Sequence, residues 1–414
     1  MKYVIIGNST AAIGAAEGIR SVDETGDITI VSKEQHHTYA RPLISYLLLG
    51  KTTREKMKYR PDGFYSDNNI KLVFGEVVKI EPERKSVLLD GGEKIGYDRL
   101  LVATGSRPFV PPMEGLDSVE HKTSFMSLDD ALALEKMIGP DKRVLIVGAG
   151  LIGLKCAEGI YDRVKSISIV DLADRILPSI LTADAAAIVY RHIEKAGIEF
   201  ILGDSVRLFE NNVAKLKSGK EVPFDVLVVA VGVRPNVELI KEAGGEVTRG
   251  IVTNACQQTT IPDVYSAGDC TESFDISSDS RKVLAILPNA YMQGECAGIN
   301  MAGGKKEFEN AIPMNAIGFM GLHMITAGSY DGTPLIEKPE TEDGGYRQLY
   351  VKDGCLKGFM IIGDVKRAGI YTSIIKNKIP LDSLDVDLLI DKPQLIAFSK
   401  DYRREKLGGI KSGH

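Results

Sequence analysis

Short apolar runs recur at matching places in two stretches of the chain. The first stretch has Tyr3-Val4-Ile5-Ile6, Ile28-Thr29-Ile30-Val31 and Leu100-Leu101-Val102. The second has Val144-Leu145-Ile146-Val147, Ser166-Ile167-Ser168-Ile169-Val170 and Val226-Leu227-Val228-Val229. Mostly continuous apolar runs of this length predict parallel strands covered on both faces. Ala11 to Arg20 predicts a helix with small residues facing the preceding turn. Each stretch closes on Ala-x-Gly-x-Arg-Pro, at Ala103–Pro108 and at Ala230–Pro235. A repeat unit of about a hundred residues predicts duplicated α/β units rather than a solenoid. Near the C-terminus, Tyr346–Val351 and Cys355–Ile362 are strand-like, and Lys352-Asp353-Gly354 joins them as a hairpin. Ile370–Lys376 and Leu384–Ile390 are helical patterns, and Arg403–His414 predicts a frayed tail.

The turns after the first strand of each stretch carry the chemistry. Gly7-Asn8-Ser9-Thr10-Ala11-Ala12 follows one, and Gly148-Ala149-Gly150-Leu151-Ile152-Gly153 follows the other. A strand that enters a small-residue turn and then a helix points backbone N–H groups and the helix dipole at a pyrophosphate. Glu34 lies 22 positions after Ala12, and Asp171 lies 18 after Gly153. Both are near the roughly 20 that separate such a turn from a ribose-binding acid. A carboxylate there accepts from the ribose hydroxyls and repels a 2′-phosphate, which favours NADH over NADPH, with Arg175 close by as a counterweight. Either turn alone can also serve packing without a ligand. Paired and ordered, they point to two nucleotides held for electron transfer.

Composition narrows the field. A chain of 414 residues predicts two or three domains. A net charge of −5 gives no overall basic surface, which sets nucleic acid aside. No apolar stretch approaches the roughly 18 residues of a membrane helix, and the N-terminal run is a strand rather than a signal peptide, so a cytoplasmic setting is expected. The five cysteines (Cys156, Cys256, Cys270, Cys296 and Cys355) have no metal or redox-pair spacing and predict reduced thiols. Cys156, Cys270 and Cys296 read as packing residues. No histidine set has metal or triad spacing, so no metal site is expected.

With these motifs in place, the chain resembles the flavin-dependent pyridine-nucleotide oxidoreductases, in the branch of rubredoxin, ferredoxin and nitrite reductases. Thr260-Ile261-Pro262-Asp263-Val264-Tyr265-Ser266-Ala267-Gly268-Asp269 and Pro288-Asn289-Ala290-Tyr291-Met292-Gln293-Gly294 carry that resemblance further. It implies an α/β fold of two Rossmann-like domains, for FAD and NADH, plus a C-terminal α+β domain. The FAD domain would take residues 1–112 and 241–310, the NADH domain 113–240, and the C-terminal interface domain 311–414. The residues expected at FAD are Gly7, Ser9, Thr10, Ala11, Ala12, Glu34, Arg41, Pro42, Val78, Ala103, Thr104, Gly105, Gly268, Asp269, Pro288 and Asn289. Those expected at NADH are Gly148, Gly150, Leu151, Ile152, Gly153, Asp171 and Gly232. Asp269 would hold a ribityl hydroxyl, and the helix beginning near Pro288 would aim its N-terminus at the flavin ring.

The segment Tyr39–Gly50 separates the branches. Peroxidases, water-forming oxidases and coenzyme A-disulfide reductases of the family place a redox cysteine just before the matching glycine, where this chain has Leu49. Leucine forms neither a sulfenic acid nor a mixed disulfide. Ferredoxin reductases carry a lysine where Tyr46 stands, and the family commonly has glutamate where Lys155 stands. Lys155 is expected to alter nicotinamide placement, to meet a carboxylate of another domain, or to be a solvated stem. The resemblance implies an FAD-dependent NADH:acceptor oxidoreductase. Its partner would be a small electron-transfer protein or an iron–sulfur subunit, and homo- and hetero-oligomeric states are left open. An oxygen-using NADH oxidase and a nucleotide-binding assembly subunit are the alternatives.

Overall fold

The computed structural model describes residues 1–337, 339–341, 344–391 and 393–407. It divides into two compact units. The first takes in Met1–Ser179, Ile193–Phe274 and Arg281–Ala311. The second gathers Ile180–His192, Asp275–Ser280 and the chain from Ile312 onward.

Two parallel five-stranded sheets form the frame of the first unit. One runs in the spatial order Val264–Ser266, Arg99–Val102, Lys2–Ile6, Asp27–Ser32, Ile70–Phe74. The other runs Glu199–Leu202, Ser166–Asp171, Arg143–Val147, Val226–Val229, Lys122–Thr123. The registers match: Val4 pairs with Thr29 and Leu100, and Leu145 with Ser168 and Leu227. The central strands are buried on both faces, as their unbroken apolar runs require. The duplicated α/β reading is thus the observed architecture. The closing segments of the two repeats also pair with each other, Ser106–Pro108 running antiparallel to Val233–Pro235.

The helix Thr10–Arg20 packs on the helix Leu287–Met301 at backbone contact. A Cβ on Gly294 would lie 2.0 Å from the Ala11 carbonyl oxygen, and one on Gly298 2.1 Å from that of Ala15. Gly14 and Gly18 face the carbonyls of Tyr291 and Glu295 in the same way. The pairs 11/294 and 15/298 advance together, so the helices run parallel and open their N-termini to one side.

The second unit is built on an antiparallel sheet in the order Met314–Phe319, Leu322–Gly328, Cys355–Ile362, Tyr346–Lys352, Thr333–Pro334. Its hairpin turns on Asp353 and Gly354, both at positive φ, between the paired Lys352 and Cys355. Tyr371, Ile374, Ile375 and Leu389 of two following helices fill a core with Phe359 and Ile361. Of the expected frayed tail, Arg403 to Leu407 instead continue the helix Lys400–Leu407, near whose start Phe398 and Tyr402 stack at 4.9 Å. Residues 408–414 lie outside the described residues. Among the described residues no helix is long and apolar enough to cross a membrane.

Candidate functional site

Both glycine turns are fixed by backbone geometry that a side chain would break. Gly7 sits at φ 112° and Gly148 at φ 117°, a region L-residues rarely adopt. A Cβ on Gly7 would lie 2.2 Å from the Ala103 carbonyl oxygen, and one on Gly148 2.3 Å from that of Ala230. Gly153 plays the packing part, since its Cβ would meet the Gly148 carbonyl oxygen at 2.0 Å.

The helices that leave these turns start without side-chain caps. Ser9 and Gly150 are extended N-caps, no side chain accepts from the first N–H groups, and neither first turn holds an acid. The helix Leu287–Met301 likewise begins uncapped after Ile286, with Pro288 in its first turn. The contrast is Leu128–Met137, which carries a complete capping box from Ser127 and Asp130. Three helices therefore keep N-terminal donors and positive dipole ends for other acceptors.

Ala267-Gly268-Asp269 is wedged beside two of those termini. A Gly268 Cβ would lie 3.1 Å from that of Ala11, and its N–H donates to the Gln293 Oε1 at 2.8 Å. Burial pushes the Asp269 carboxyl up from its ordinary range, opposed by the Arg41 guanidinium and the Ser106 hydroxyl. Arg41 opens a short turn, Arg41–Leu43, and reaches Glu34 at 3.4 Å. Glu34 also accepts from the Tyr39 hydroxyl at 2.6 Å, and that hydroxyl accepts from the Leu128 N–H at 2.9 Å. Gly7, Ala11, Ala103, Gly268 and Asp269 thus come together, with Arg41 linking them to Glu34. Pro42 is exposed beside Arg41. Thr104 and Gly105 face the second repeat: Thr104 and Asn236 exchange two hydrogen bonds at 2.8 Å, and Gly105 accepts from the Asn236 N–H. Val78 is exposed on the strand Val77–Glu81. That strand follows a corner where the Gly75 N–H donates to the Ser32 carbonyl, two residues before Glu34.

These groups fit FAD. The uncapped termini of Thr10–Arg20 and Leu287–Met301 suit an anionic pyrophosphate and ring, and the desolvated Asp269 suits a hydroxyl donor. A buried Thr38 Oγ1 without a hydrogen-bond partner lies in the same neighbourhood. The Thr38 N–H donates to the Tyr65 hydroxyl, which in turn donates to Asn8 of the turn.

At the second turn, Asp171 does more than end its strand. Its carboxylate accepts from the N–H of Ala149 at 2.6 Å and of Ala173 at 2.7 Å, so it also holds the turn in shape. Arg175 pairs with its neighbour Asp174 at 2.9 Å. Gly232, at φ 129°, follows the strand Val226–Val229 on the same side.

Lys155 is neither a solvated stem nor joined by these contacts to a carboxylate of another domain. It pairs with Glu158 of its own helix, whose side chain is 5% exposed, and its Nζ stands 4.6 Å over the Tyr46 ring. The helix Leu151–Ile160 docks here on the helix Ile44–Leu48. Gly159 allows the approach, since its Cβ would lie 3.0 Å from the Ser45 carbonyl oxygen. Arg163 adds a 2.6 Å bond to the Leu48 carbonyl. Leu49, half-buried, caps that helix, and no cysteine precedes Cys156 anywhere in the chain. Cys156 and Cys270 are fully buried, and burial pushes the Cys156 thiol far up. Among the described residues no group of His, Cys, Asp or Glu could hold a metal. Sequence reasoning missed Gln293, Ser106, Asn236 and the Tyr39 hydroxyl. Gln293 lies inside the Pro288–Gly294 motif, Ser106 inside Ala103–Pro108 and Tyr39 at the head of Tyr39–Gly50, whereas Asn236 carried no signal.

Comparison with known proteins agrees with this geometry. Residues 1–294 match the family model described as pyridine nucleotide-disulphide oxidoreductase. The NADH-dependent phenylglyoxylate dehydrogenase subunit epsilon of Aromatoleum evansii is 30% identical, over 92% of this chain and 93% of that one. An NADH oxidase of Methanocaldococcus jannaschii is 33% identical, over 74% of this chain and 71% of that one. The NADH-rubredoxin oxidoreductase of Clostridium acetobutylicum is 27% identical, over 88% and 91%. The crystal structure of NADH:rubredoxin oxidoreductase from that organism shares the fold, with a TM-score of 0.76 at 24% identity over 95% of this chain and 99% of that one. The chain belongs to the pyridine nucleotide-disulphide oxidoreductase family, as an NADH-dependent flavoprotein oxidoreductase whose cofactors are FAD and NADH.

Proposed function

We propose that this chain passes electrons from NADH through FAD to a separate protein with an iron–sulfur or rubredoxin-type centre, either free or as a subunit of a larger complex. The observation that carries the reading is the thiol-free segment Tyr39–Gly50, whose Arg41 acts on the buried Asp269 carboxyl. With no cysteine there to store electrons, they must leave the protein directly. Bound FAD supplies the chemistry that takes a hydride and releases electrons one at a time.

The chain's residues bind, orient and exclude water. On this reading 1–112 and 241–310 form the FAD domain, 113–240 the NADH domain and 311–414 an interface domain. Gly7, Ser9, Thr10, Ala11 and Ala12 would cradle the FAD pyrophosphate, and Glu34 with Val78 its adenosine end. Arg41, Pro42, Ala103, Thr104, Gly105, Gly268, Asp269, Pro288 and Asn289 would line the ribityl and ring portion. Gly148, Gly150, Leu151, Ile152 and Gly153 would receive the NADH pyrophosphate, Asp171 its ribose, and Gly232 its nicotinamide side. Lys155 over Tyr46 joins the helix that follows the second glycine turn to the helix Ile44–Leu48. The use of NADH favours a cytoplasmic setting.

The name of the Clostridium relative supports a rubredoxin-type acceptor, that of the Aromatoleum relative a place in a larger complex, and that of the Methanocaldococcus relative an oxidase as the second reading. NADH oxidation by the FAD-loaded protein separates them, run anoxically with rubredoxin and in air without a carrier. Rapid rubredoxin reduction with slow oxygen uptake is the expected result. Rapid oxygen uptake with inert rubredoxin would replace the carrier reading with the oxidase.

A further inference from the structure

The segment Lys51–Arg60 opposes the charge of the chain that contains it. It holds five cations (Lys51, Arg54, Lys56, Lys58 and Arg60) and one carboxylate, Glu55, in a chain of net charge −5. Two of the cations are engaged internally: Lys58 with Asp62, and Arg60 with Glu17 at 2.6 Å. Lys51, Arg54 and Lys56 are exposed and make no ion pair among the described residues. The facing carboxylate, Glu55, is exposed between them.

A solvated loop is the ordinary meaning of such a run, but this one is pinned. Met57 is 1% exposed, and its carbonyl accepts from the Ala40 N–H at 2.8 Å. The Tyr59 N–H donates to the Thr38 carbonyl at 2.9 Å, and the Lys51 N–H to the Tyr46 carbonyl at 2.9 Å. The segment therefore starts on the helix that carries Tyr46 and ends zipped to residues 38–40, which run straight into Arg41. Met57, next to Lys56, is thus bonded to the residue before Arg41, whose guanidinium acts on the Asp269 carboxyl.

We propose that Lys51, Arg54 and Lys56 form the docking surface for an acidic one-electron carrier protein, a proposal that rests on the carrier reading above. The charge contrast selects the occupant. An acidic protein is repelled by the net charge of −5 and attracted by these three cations, which favours encounters through this segment. Exposed pairs of this kind act mainly on the association rate and weaken with salt, over a screening length of about 8–10 Å.

The test compares wild type with K51E/R54E/K56E, using acidic rubredoxin as the carrier and menadione as a small neutral acceptor. Flavin content and Tm check that the variant folds. The expected result is a loss of roughly tenfold to a hundredfold in kcat/KM for rubredoxin, with the menadione rate unchanged. Added salt should slow rubredoxin reduction by wild type and speed that by the variant, whose three glutamates repel the acidic carrier until they are screened. Rubredoxin binding, followed by fluorescence anisotropy at low salt, separates the two layers of the argument. Binding that the substitutions abolish supports the surface even if electron transfer to rubredoxin is absent, which would count against the carrier reading alone. Rubredoxin reduction unaffected by the substitutions overturns the surface and leaves the carrier reading standing. Neither binding nor reduction by wild type overturns both.

Discussion

Replacing Gly294 by alanine tests how the two parallel helices create the flavin site. The new Cβ would sit 2.0 Å from the Ala11 carbonyl oxygen, where real contacts stay beyond 3.0 Å. The helices must part by at least about 1 Å, because neither partner atom is a side chain that can rotate away. Such a gap forfeits roughly a quarter to a half of each dispersion contact along the seam of Ala11, Ala15, Ala290 and Ala297. Overpacking of this kind costs about 1–3 kcal/mol, and the backbone clash argues for the upper end. Alanine returns about 1 kcal/mol of helix propensity. The net loss is about 2 kcal/mol, or roughly 4–8 °C in Tm at the scale of a 150–250-residue domain.

Binding should suffer separately. The uncapped N-termini of Thr10–Arg20 and Leu287–Met301 would no longer both reach one ligand, and losing a charge-assisted hydrogen bond costs about 1.5–3 kcal/mol. The expected FAD Kd is therefore at least roughly tenfold weaker, read by quenching of flavin fluorescence. Gly91→Ala is the control, since nothing lies within 4 Å of its Cβ. If G294A kept both the wild-type Tm and the wild-type FAD Kd, close helix approach would not be what aligns the site.

Three further outcomes are expected. Lys155→Met and Tyr46→Leu, combined in a double-mutant cycle on Tm, should show coupling of about 0.5–2 kcal/mol for the cation–π contact; strict additivity would refute it. Asp171→Ala removes two bonds that hold the turn and the ribose acceptor, so KM for NADH should rise roughly tenfold while the preference over NADPH narrows; an unchanged NADH/NADPH ratio of kcat/KM would remove Asp171 from that role. Asp225 is held at about 2 by its two-bond pairing with Arg143, well below its unfolded value near 3.9. That stabilisation is complete above about pH 4 and fades as the pH falls through about 2. D225N should therefore flatten acid unfolding in that window, and an unaltered acid profile would show that the pair contributes nothing.

Local features of the site were legible and contacts between distant segments were not. Gly148, Gly150 and Gly153 announce themselves because strand, turn and helix are contiguous, and Asp269 stands inside a ten-residue pattern. Ser9 and Ala12 were readable as small residues in a turn, though the turn lacks two of the usual glycines. Nothing local could show that Lys155 would lie over Tyr46, a residue 109 positions earlier. The same holds for the pairing of Ser106–Pro108 with Val233–Pro235, which neither repeat needs for its own strands. Asp171 was legible as an acid at a strand end, but its bond to the Ala149 N–H depends on how the turn folds back. The cationic segment at 51–60 disappeared into a net charge averaged over the whole chain. Only its hydrogen bonds to residues 38–40 set those charges beside Arg41.

The central claim is that NADH reduces FAD on this chain and that the electrons then wait for a protein acceptor. Anaerobic titration of the FAD-loaded protein with NADH, followed at the flavin absorption band and then opened to air, tests it most directly. The account predicts stoichiometric bleaching and a slow return of colour in air, made fast by a one-electron carrier. A flavin band that NADH leaves untouched would contradict it.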